Sequence, residues 1–294
     1  MTANGPAPLS SIFCFFGAFF LFSCTDAGAK YLVLAGMQPP FLSWTRFLVH
    51  AVLVSLLLRL WVRPQRFAPA NPGAHVLRGI LLFLSGLFSF WSLTTLQLVE
   101  FIAIIFMGPL VITALAQPLL GEKVEWQRWI AVGVGLIGVL VITRPGFGTF
   151  KAGHASALLA MLTHSLFVIM TRRMSASETH ESLLILPAVV ATVFMLPAVP
   201  LTGSLPANGL QWAVLLSLGA FAAMGHWLFL RAYRTTEASV LAPYAYVQML
   251  WTALFGYFLF GNNPDGWTML GSAIIIAGGL YLMHRDRLAR VRTR

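Results

Sequence analysis

Ten stretches of about 20 residues, each composed almost wholly of apolar side chains, follow one another along this chain. A helix of that length spans the roughly 30 Å hydrocarbon core of a bilayer, and its backbone hydrogen bonds are made internally. We therefore predict an all-α membrane protein with ten transmembrane helices. The predicted helices cover Leu9–Leu34, Pro40–Val62, Val76–Leu96, Val99–Leu120, Trp126–Thr143, Gly153–Thr171, Leu183–Leu201, Leu210–Arg231, Ala238–Phe260 and Gly266–His284.

The low charge content supports this class. Charged residues make up only 10% of the sequence, whereas soluble domains average about a quarter. The formal net charge of +10 raises the question of a nucleic-acid partner. However, the basic residues fall in short clusters between apolar runs and form no basic face interleaved with exposed aromatic side chains. We expect the lipid bilayer, and not nucleic acid, to cover the protein surface.

Lysines and arginines are distributed unevenly between the two sides of the predicted bundle. Only Arg144 and Lys151 lie on one side, and Lys30 and Arg46 lie within predicted helices. Because basic segments stay in the cytoplasm, the pattern predicts that both termini are cytoplasmic. The opposite side holds the other 15 of the 19 basic residues: Arg59, Arg63, Arg66, Arg78, Lys123, Arg128, Arg172, Arg173, Arg231, Arg234, Arg285, Arg287, Arg290, Arg292 and Arg294.

A weak internal repeat emerges when the sequence is aligned with itself at a shift of 140 residues. The segment from Pro109 then lies on the segment from Met249, with glycines in register. We predict two repeats of five helices, residues 1–146 and 147–294. Since five is odd, the second repeat crosses the membrane in the opposite sense, which is the 5+5 inverted architecture of many secondary transporters. The alternative is coincidence, because similar turns and Gly-rich helices occur in many packed bundles.

Several motifs resemble one family of membrane proteins. They are "LLGE" at Leu119–Glu122 with "RWIAVGVGLIGVLVI" from Arg128, a second copy "LFGNNPDGWTMLGSAIIIAGG" from Leu259, and "MTRRM" at Met170–Met174. Together they resemble the ten-helix, EamA-type members of the drug/metabolite transporter superfamily over nearly the whole chain. The second copy departs from the family pattern at Asn262, where an acidic residue is usual.

Other segments resemble one branch of that superfamily. "DAGAKYL" from Asp26, "WTRFLVH" from Trp44 and "TRPGFGTF" from Thr143 are similar to proteobacterial riboflavin transporters. The resemblance implies alternating-access transport across the bacterial inner membrane without ATP, with uptake of riboflavin or a similar heteroaromatic compound as the first expectation. Export of amino acids or related metabolites is the alternative, and S-adenosylmethionine carriers share the overall pattern.

Three charged residues lie in the outer halves of predicted helices one and two, with Lys30 near the membrane boundary. At 1.5 Å per residue, Asp26 lies about 25 Å and Lys30 about 31 Å from the inner start of helix one at Leu9. Arg46 lies about 9 Å from the outer start of helix two at Pro40. Because the two helices run in opposite directions, the three residues lie at similar depths. The four-residue spacing lets Lys30 fold over Asp26, and Arg46 can approach the same carboxylate. We predict an outer gate or coupling site, in which Asp26 exchanges partners or a proton and the cations attract substrate. The alternative is a fixed ion pair between two helices, with Lys30 reaching to the membrane surface.

Further polar and aromatic residues converge near the predicted midplane. Helix nine contains Pro243, and helix four contains "MGP" at Met107–Pro109, so both are expected to be interrupted there. We predict a chamber in which a flat heteroaromatic ring stacks on aromatic side chains while amide and imidazole groups bind its polar atoms. The alternative is ordinary packing and hydrogen bonding between helices. The predicted chamber residues are His50, Trp91, His164, Tyr244, Tyr246 and Gln248.

The sequence argues against catalysis and against ATP-driven pumping. It holds no hydrolase or metalloprotease signature, no Cys/His metal spacing and no phosphate-binding P-loop. We expect a small-molecule substrate, no cofactor, no metal and no enzymatic activity. Gly-rich faces on helices five and ten favour tight seams and a homodimer contact. A channel or a structural membrane protein is the alternative of another class.

Overall fold

In the computed structural model, the described part of the chain is built from helices and contains no strand. This confirms the predicted all-α class there. The structure describes residues 9–59, 62, 67–120, 126–144, 150–174, 177–235, 241, 245 and 247–292. The helices are α1 (Leu9–Leu34), α2 (Pro39–Leu58), α3 (Pro72–Ser92), α4 (Leu98–Ile105), α5 (Gly108–Leu120), α6 (Trp126–Thr143), α7 (Ala152–Met174), α8 (His180–Met195), α9 (Val199–Thr202), α10 (Gly209–Thr235), α11 (Val247–Phe260) and α12 (Gly266–Arg292), with a 3-10 turn at Leu196–Ala198.

Six helical segments of the described chain are long and apolar enough to cross a membrane, judged by length and composition. Four shorter apolar helices accompany them. Large apolar side chains point outward, such as Phe258 at 74% exposure and Leu57 at 68%. Such a surface is unfavourable in water and suits a bilayer. The chain is therefore a multi-pass membrane protein, while the count of ten crossings and the inverted repeat stay predictions.

The fourth predicted helix is interrupted where the sequence indicated a weak point. Helix α4 ends at Ile105 and α5 begins at Gly108, and Met107 donates a tight backbone hydrogen bond of 3.1 Å to Ile104. Pro109 has no N–H group, so it cannot continue the α4 hydrogen-bond ladder, but it fits the first turn of α5. The expectation for "MGP" is confirmed.

The predicted bounds of the third helix were wrong by four residues at each end. Helix α3 begins at Pro72 because the side chain of Asn71 accepts a hydrogen bond of 3.0 Å from the Ala74 N–H. Asn before the helix and Pro in its first turn are standard start signals. The predicted start at Val76 overlooked them.

Helix α10 packs closely against α1 and α2, and glycines permit this approach. A Cβ atom at Gly219 would lie 2.5 Å from Val49 Cβ and 2.7 Å from the Arg46 carbonyl oxygen. At Gly225 a Cβ would lie 2.6 Å from the Phe22 ring. The backbone of α10 therefore lies directly beside the parts of α1 and α2 that carry the predicted charged residues.

Candidate functional site

Asp26 and Gln248 form the contact that joins the two predicted polar groups. Asp26 on α1 is half-buried, and Gln248 on α11 is 7% exposed. The Gln248 Nε2 donates a hydrogen bond of 3.4 Å to Asp26 Oδ2. An amide that solvates a carboxylate in this way lowers the cost of holding a charge at depth. The structure thus brings together one residue predicted for the outer cluster and one predicted for the midplane.

Arg46 on α2 lies close enough to Asp26 for each charge to act on the other, yet the described residues form no direct ion pair between them. The guanidinium lies over two rings, with centroids at 5.4 Å for Phe47 and 5.6 Å for Phe90. Its Nε is buried and has no hydrogen-bond partner in the described chain. Because buried polar atoms are normally satisfied, this donor is available to a ligand or to water.

Three histidines lie near Arg46. His50 is one turn further along α2, and its ring lies 5.5 Å from the His226 ring on α10, nearly perpendicular to it. His226 Nδ1 lies 2.8 Å from the Ala222 carbonyl oxygen. His164 on α7 is exposed and lies within electrostatic range of Arg46 and His226.

Sequence reasoning missed His226, Phe47 and Phe90. For His226 a signal was present, since an ionisable side chain inside an apolar run is rare and marks function. The predicted contribution of α3 was Trp91, but Trp91 is 48% exposed, and Phe90 is the α3 ring that lies over Arg46. The one-residue difference turns the side chain by about 100° around the helix.

Two predicted chamber residues, Tyr244 and Tyr246, lie outside the described residues. The same holds for the expected opening at Pro243, so the interruption predicted for helix nine stays a prediction.

Lys30 does not contact Asp26, and the expectation that it folds over that carboxylate was wrong. Its Nζ donates a hydrogen bond of 2.6 Å to the Leu96 carbonyl oxygen and lies 5.4 Å from the centre of the Phe260 ring. Leu96 precedes α4, so its carbonyl is free to accept. The alternative of Lys30 reaching the surface was wrong too, because the residue is only 6% exposed.

Lys30 instead lines a cavity of about 460 Å³. We call it the Lys30 cavity. The side chain of Asn262 also lines it and holds a buried Nδ2 with no hydrogen-bond partner in the described chain. The remaining lining residues are Leu34, Leu93, Thr94, Thr95, Leu96, Gln97, Leu259 and Phe260.

Glu178 links two connections at one end of α7. Its carboxylate accepts hydrogen bonds from the Asn71 N–H at 2.9 Å and the Ala70 N–H at 3.2 Å, and it lies 3.1 Å from His75 Nε2. Desolvation works to raise the pKa of Glu178, but these hydrogen bonds and His75 outweigh it and lower the pKa to about 2. The α2–α3 and α7–α8 connections are thereby fastened together.

Arg144 and Asp265 link two segments near the other end of α7. The Arg144 Nη2 donates a hydrogen bond of 2.7 Å to Asp265 Oδ2, and both side chains are partly exposed. Hydrogen bonds from Thr268, followed by the charge of Arg144, lower the pKa of Asp265. The pair joins the end of α6 to the start of α12.

An apolar helical bundle that encloses charged and polar side chains with unused hydrogen-bonding capacity is typical of membrane transporters. Comparison with known families agrees with this class. Residues 9–144 and 151–283 each match the model of the EamA-like transporter family, and the chain belongs to that family.

Individual relatives point to the same class. The S-adenosylmethionine uptake transporter of Rickettsia felis is 30% identical over 223 residues, covering 76% of each chain. The riboflavin transporter of Vibrio cholerae is 24% identical over 283 residues, covering 94% of this chain and 93% of the relative. A solved crystal structure is similar in fold, with a TM-score of 0.61 at 19% identity over 94% of this chain and 98% of that one. Since the relatives are transporters, the prediction that this chain is not an enzyme is confirmed.

Proposed function

We propose that the chain is a secondary transporter that imports a small metabolite across the bacterial inner membrane by alternating access. The substrate chamber lies among α1, α2, α10 and α11. One observation carries the proposal: Asp26 and Arg46 bear opposite charges, act on one another, and form no direct ion pair. Two opposite charges that are held apart within the membrane cost free energy unless a ligand or water binds to them.

The helix packing supports two inverted repeats, residues 1–146 and 147–294, and hence ten crossings. Suppose that α7 is the equivalent of α1, α8 of α2 and α10 of α3. Exchanging each helix for its equivalent then turns the contact between α1 and α10 into a contact between α7 and α3. Contact between α2 and α10 likewise implies contact between α8 and α3. All four contacts are present.

Close glycine contacts support the same equivalence. Gly79 of α3 packs on Val190 of α8, and Gly219 of α10 packs on Val49 of α2. The two glycines are separated by the 140 residues of the sequence shift.

Contacts between the repeats supply the gates of this mechanism. Asp26–Gln248 and His50–His226 each join one repeat to the other in the chamber. At the two ends of α7, the Glu178 contacts and the Arg144–Asp265 pair do the same. Rocking of the repeats has to break contacts at one end while it keeps those at the other. By the distribution of basic residues, the Glu178 end and both termini are cytoplasmic, and the Arg144–Asp265 end faces outward.

S-adenosylmethionine is the first substrate candidate. It carries an α-ammonium and an α-carboxylate, which complement Asp26 and Arg46 respectively. The Rickettsia felis relative supports this choice. The separated charge pair thus reverses the ranking drawn from the motifs, which favoured riboflavin.

Riboflavin is the second candidate. Its neutral ring system needs hydrogen-bonding groups rather than ionic partners, and the histidines beside Arg46 offer them. The Vibrio cholerae relative supports it. Amino-acid export remains the alternative that the same assay tests.

The test is uptake into proteoliposomes that contain the purified chain. We expect saturable uptake of radiolabelled S-adenosylmethionine that is inhibited only weakly by an excess of riboflavin or of alanine, which carries the ammonium and carboxylate groups but no ring. Saturable riboflavin uptake alone would reverse the order of the candidates. Robust alanine efflux would favour the exporter, and flux that rises linearly with concentration would favour a channel.

A further inference from the structure

We infer that His226 is a specificity-determining residue that accepts a hydrogen bond from an N–H group on the heteroaromatic ring of the substrate. The inference rests on the proposed function and adds the chemical feature by which the ring is recognised. It concerns a residue that composition and motifs did not single out.

The hydrogen bond to Ala222 fixes which nitrogen of His226 is free. A carbonyl oxygen can only accept, so the Nδ1 atom at 2.8 Å has to carry the proton and donate it. In the neutral ring the other nitrogen, Nε2, then holds a lone pair and can only accept. The described chain provides no hydrogen-bond donor to Nε2.

The surroundings of His226 indicate that this acceptor faces a ligand. Its ring contacts are Phe22 at 5.0 Å and His50 at 5.5 Å, and neither contact is a hydrogen bond to Nε2. Arg46, whose Nε is also unpaired in the described chain, lies within electrostatic range. His226 Nε2 can accept a hydrogen bond and Arg46 Nε can donate one. Together they complement the edge of a substrate ring that carries a donor beside an acceptor.

His226 and His50 also lie on different repeats. His50 is on α2 and His226 on α10, so a ring that contacts both is held at the boundary between the moving parts. A substrate that bridges this boundary can couple its binding to the rocking of the repeats.

Two sources supply the required chemistry. The adenine ring of S-adenosylmethionine carries an exocyclic amino group next to a ring nitrogen, and the isoalloxazine ring of riboflavin carries an imide N–H between two carbonyls. In each case an N–H donor adjoins an acceptor, which suits His226 Nε2 and Arg46. Methylation of the amino or imide nitrogen removes the donor and keeps the aromatic ring.

Binding to the purified protein, measured by isothermal titration calorimetry, tests the inference without transport. Four ligands are compared: S-adenosylmethionine, its analogue with a dimethylated amino group, riboflavin, and riboflavin methylated on the imide nitrogen. We expect at least one parent compound to bind, and its methylated analogue to bind about tenfold more weakly or worse. The compound pair that shows the preference identifies which ring the chamber holds.

Two variants assign the preference to the Nε2 atom. His226→Asn keeps a donor for the Ala222 carbonyl but has no acceptor at the Nε2 position, so the parent should bind as weakly as its methylated analogue. His226→Gln keeps an acceptor near that position and should retain the preference.

Two results with the wild-type protein alone would overturn the inference. One is equal binding of a parent compound and its methylated analogue, and the other is binding of neither parent compound. The inference is also overturned if His226→Asn keeps the full preference. Preferential binding without uptake into proteoliposomes would instead reject the proposed function and leave the assignment of His226 supported.

Discussion

Gln248 donates a hydrogen bond of 3.4 Å to Asp26, although 222 residues separate the two in sequence. The bond joins α1 to α11 and gives the half-buried carboxylate a neutral partner. Arg46 supplies a nearby positive charge without a direct ion pair in the described chain. Asp26 therefore has capacity left for a cationic group of a substrate or for a proton.

Replacement of Asp26 by asparagine should abolish this capacity. Asp26→Asn keeps the size of the side chain and removes its charge, so we expect uptake to fall at least about tenfold, as for the loss of a charge-assisted hydrogen bond. Initial rates in proteoliposomes measure the effect, with size-exclusion profiles to verify folding. Glu181→Gln, a carboxylate-to-amide change outside the chamber, is the matched control. Wild-type flux through Asp26→Asn would remove Asp26 from the mechanism.

Replacement of Arg46 separates the substrate candidates. Arg46→Gln removes the cation that complements an α-carboxylate, so uptake of S-adenosylmethionine should fall about 10- to 100-fold. Riboflavin has no carboxylate and should be affected less. Arg46→Lys, which keeps the charge but loses the planar fork, should be intermediate. Equal losses for both compounds in Arg46→Gln would argue against carboxylate recognition.

The tight contact between α10 and α2 should tolerate no side chain at Gly219. A Cβ there would lie 2.5 Å from Val49 Cβ and 2.7 Å from the Arg46 carbonyl, so Gly219→Ala should push α10 away from Arg46. Overpacking of this kind costs about 1–3 kcal/mol, and we expect lower thermal stability together with lower uptake. Gly133→Ala is the control, because no atom lies within 4 Å of a Cβ at that position. Equal behaviour of the two variants would contradict the packing described here.

The Glu178 contacts predict a pH-dependent stability. Since the folded-state pKa of Glu178 lies at about 2, below the ordinary 4.5, its stabilising contribution is complete above pH 4.5 and is lost as the pH falls toward 2. Glu178→Gln should therefore lower the Tm at pH 7, and the difference from wild type should shrink at pH 3. Thermal unfolding in detergent measures both. A difference that does not change with pH would mean that the charge of Glu178 does not fasten the two connections.

The sequence predicted those parts of the molecule that follow from local patterns. Apolar run length gave the helices, and α1 and α6 begin and end at the predicted residues. The break before Gly108 followed from Pro109, because a missing N–H group is a local property. The start of α3 at Asn71–Pro72 was equally readable, but hydropathy alone overlooked it.

The site was predictable only in part, because depth along a helix does not give direction around it. Depth placed Asp26 in an outer cluster and Gln248 near the midplane, and it did not predict the hydrogen bond that joins them. It could not show that Lys30 turns to the Leu96 carbonyl, since that partner depends on the path of the chain between α3 and α4. Nor could it distinguish Phe90 from Trp91, which are adjacent in sequence but differ in exposure.

Counterflow in proteoliposomes tests the central claim, that one chamber is exposed alternately to the two sides, most directly. Vesicles loaded with unlabelled S-adenosylmethionine are placed in a trace of labelled compound, and the initial rate of label uptake is compared with that of empty vesicles. The account predicts faster uptake into the loaded vesicles, and no such acceleration with Asp26→Asn. Uptake of S-adenosylmethionine at the same rate in loaded and empty wild-type vesicles, without saturation, would contradict it.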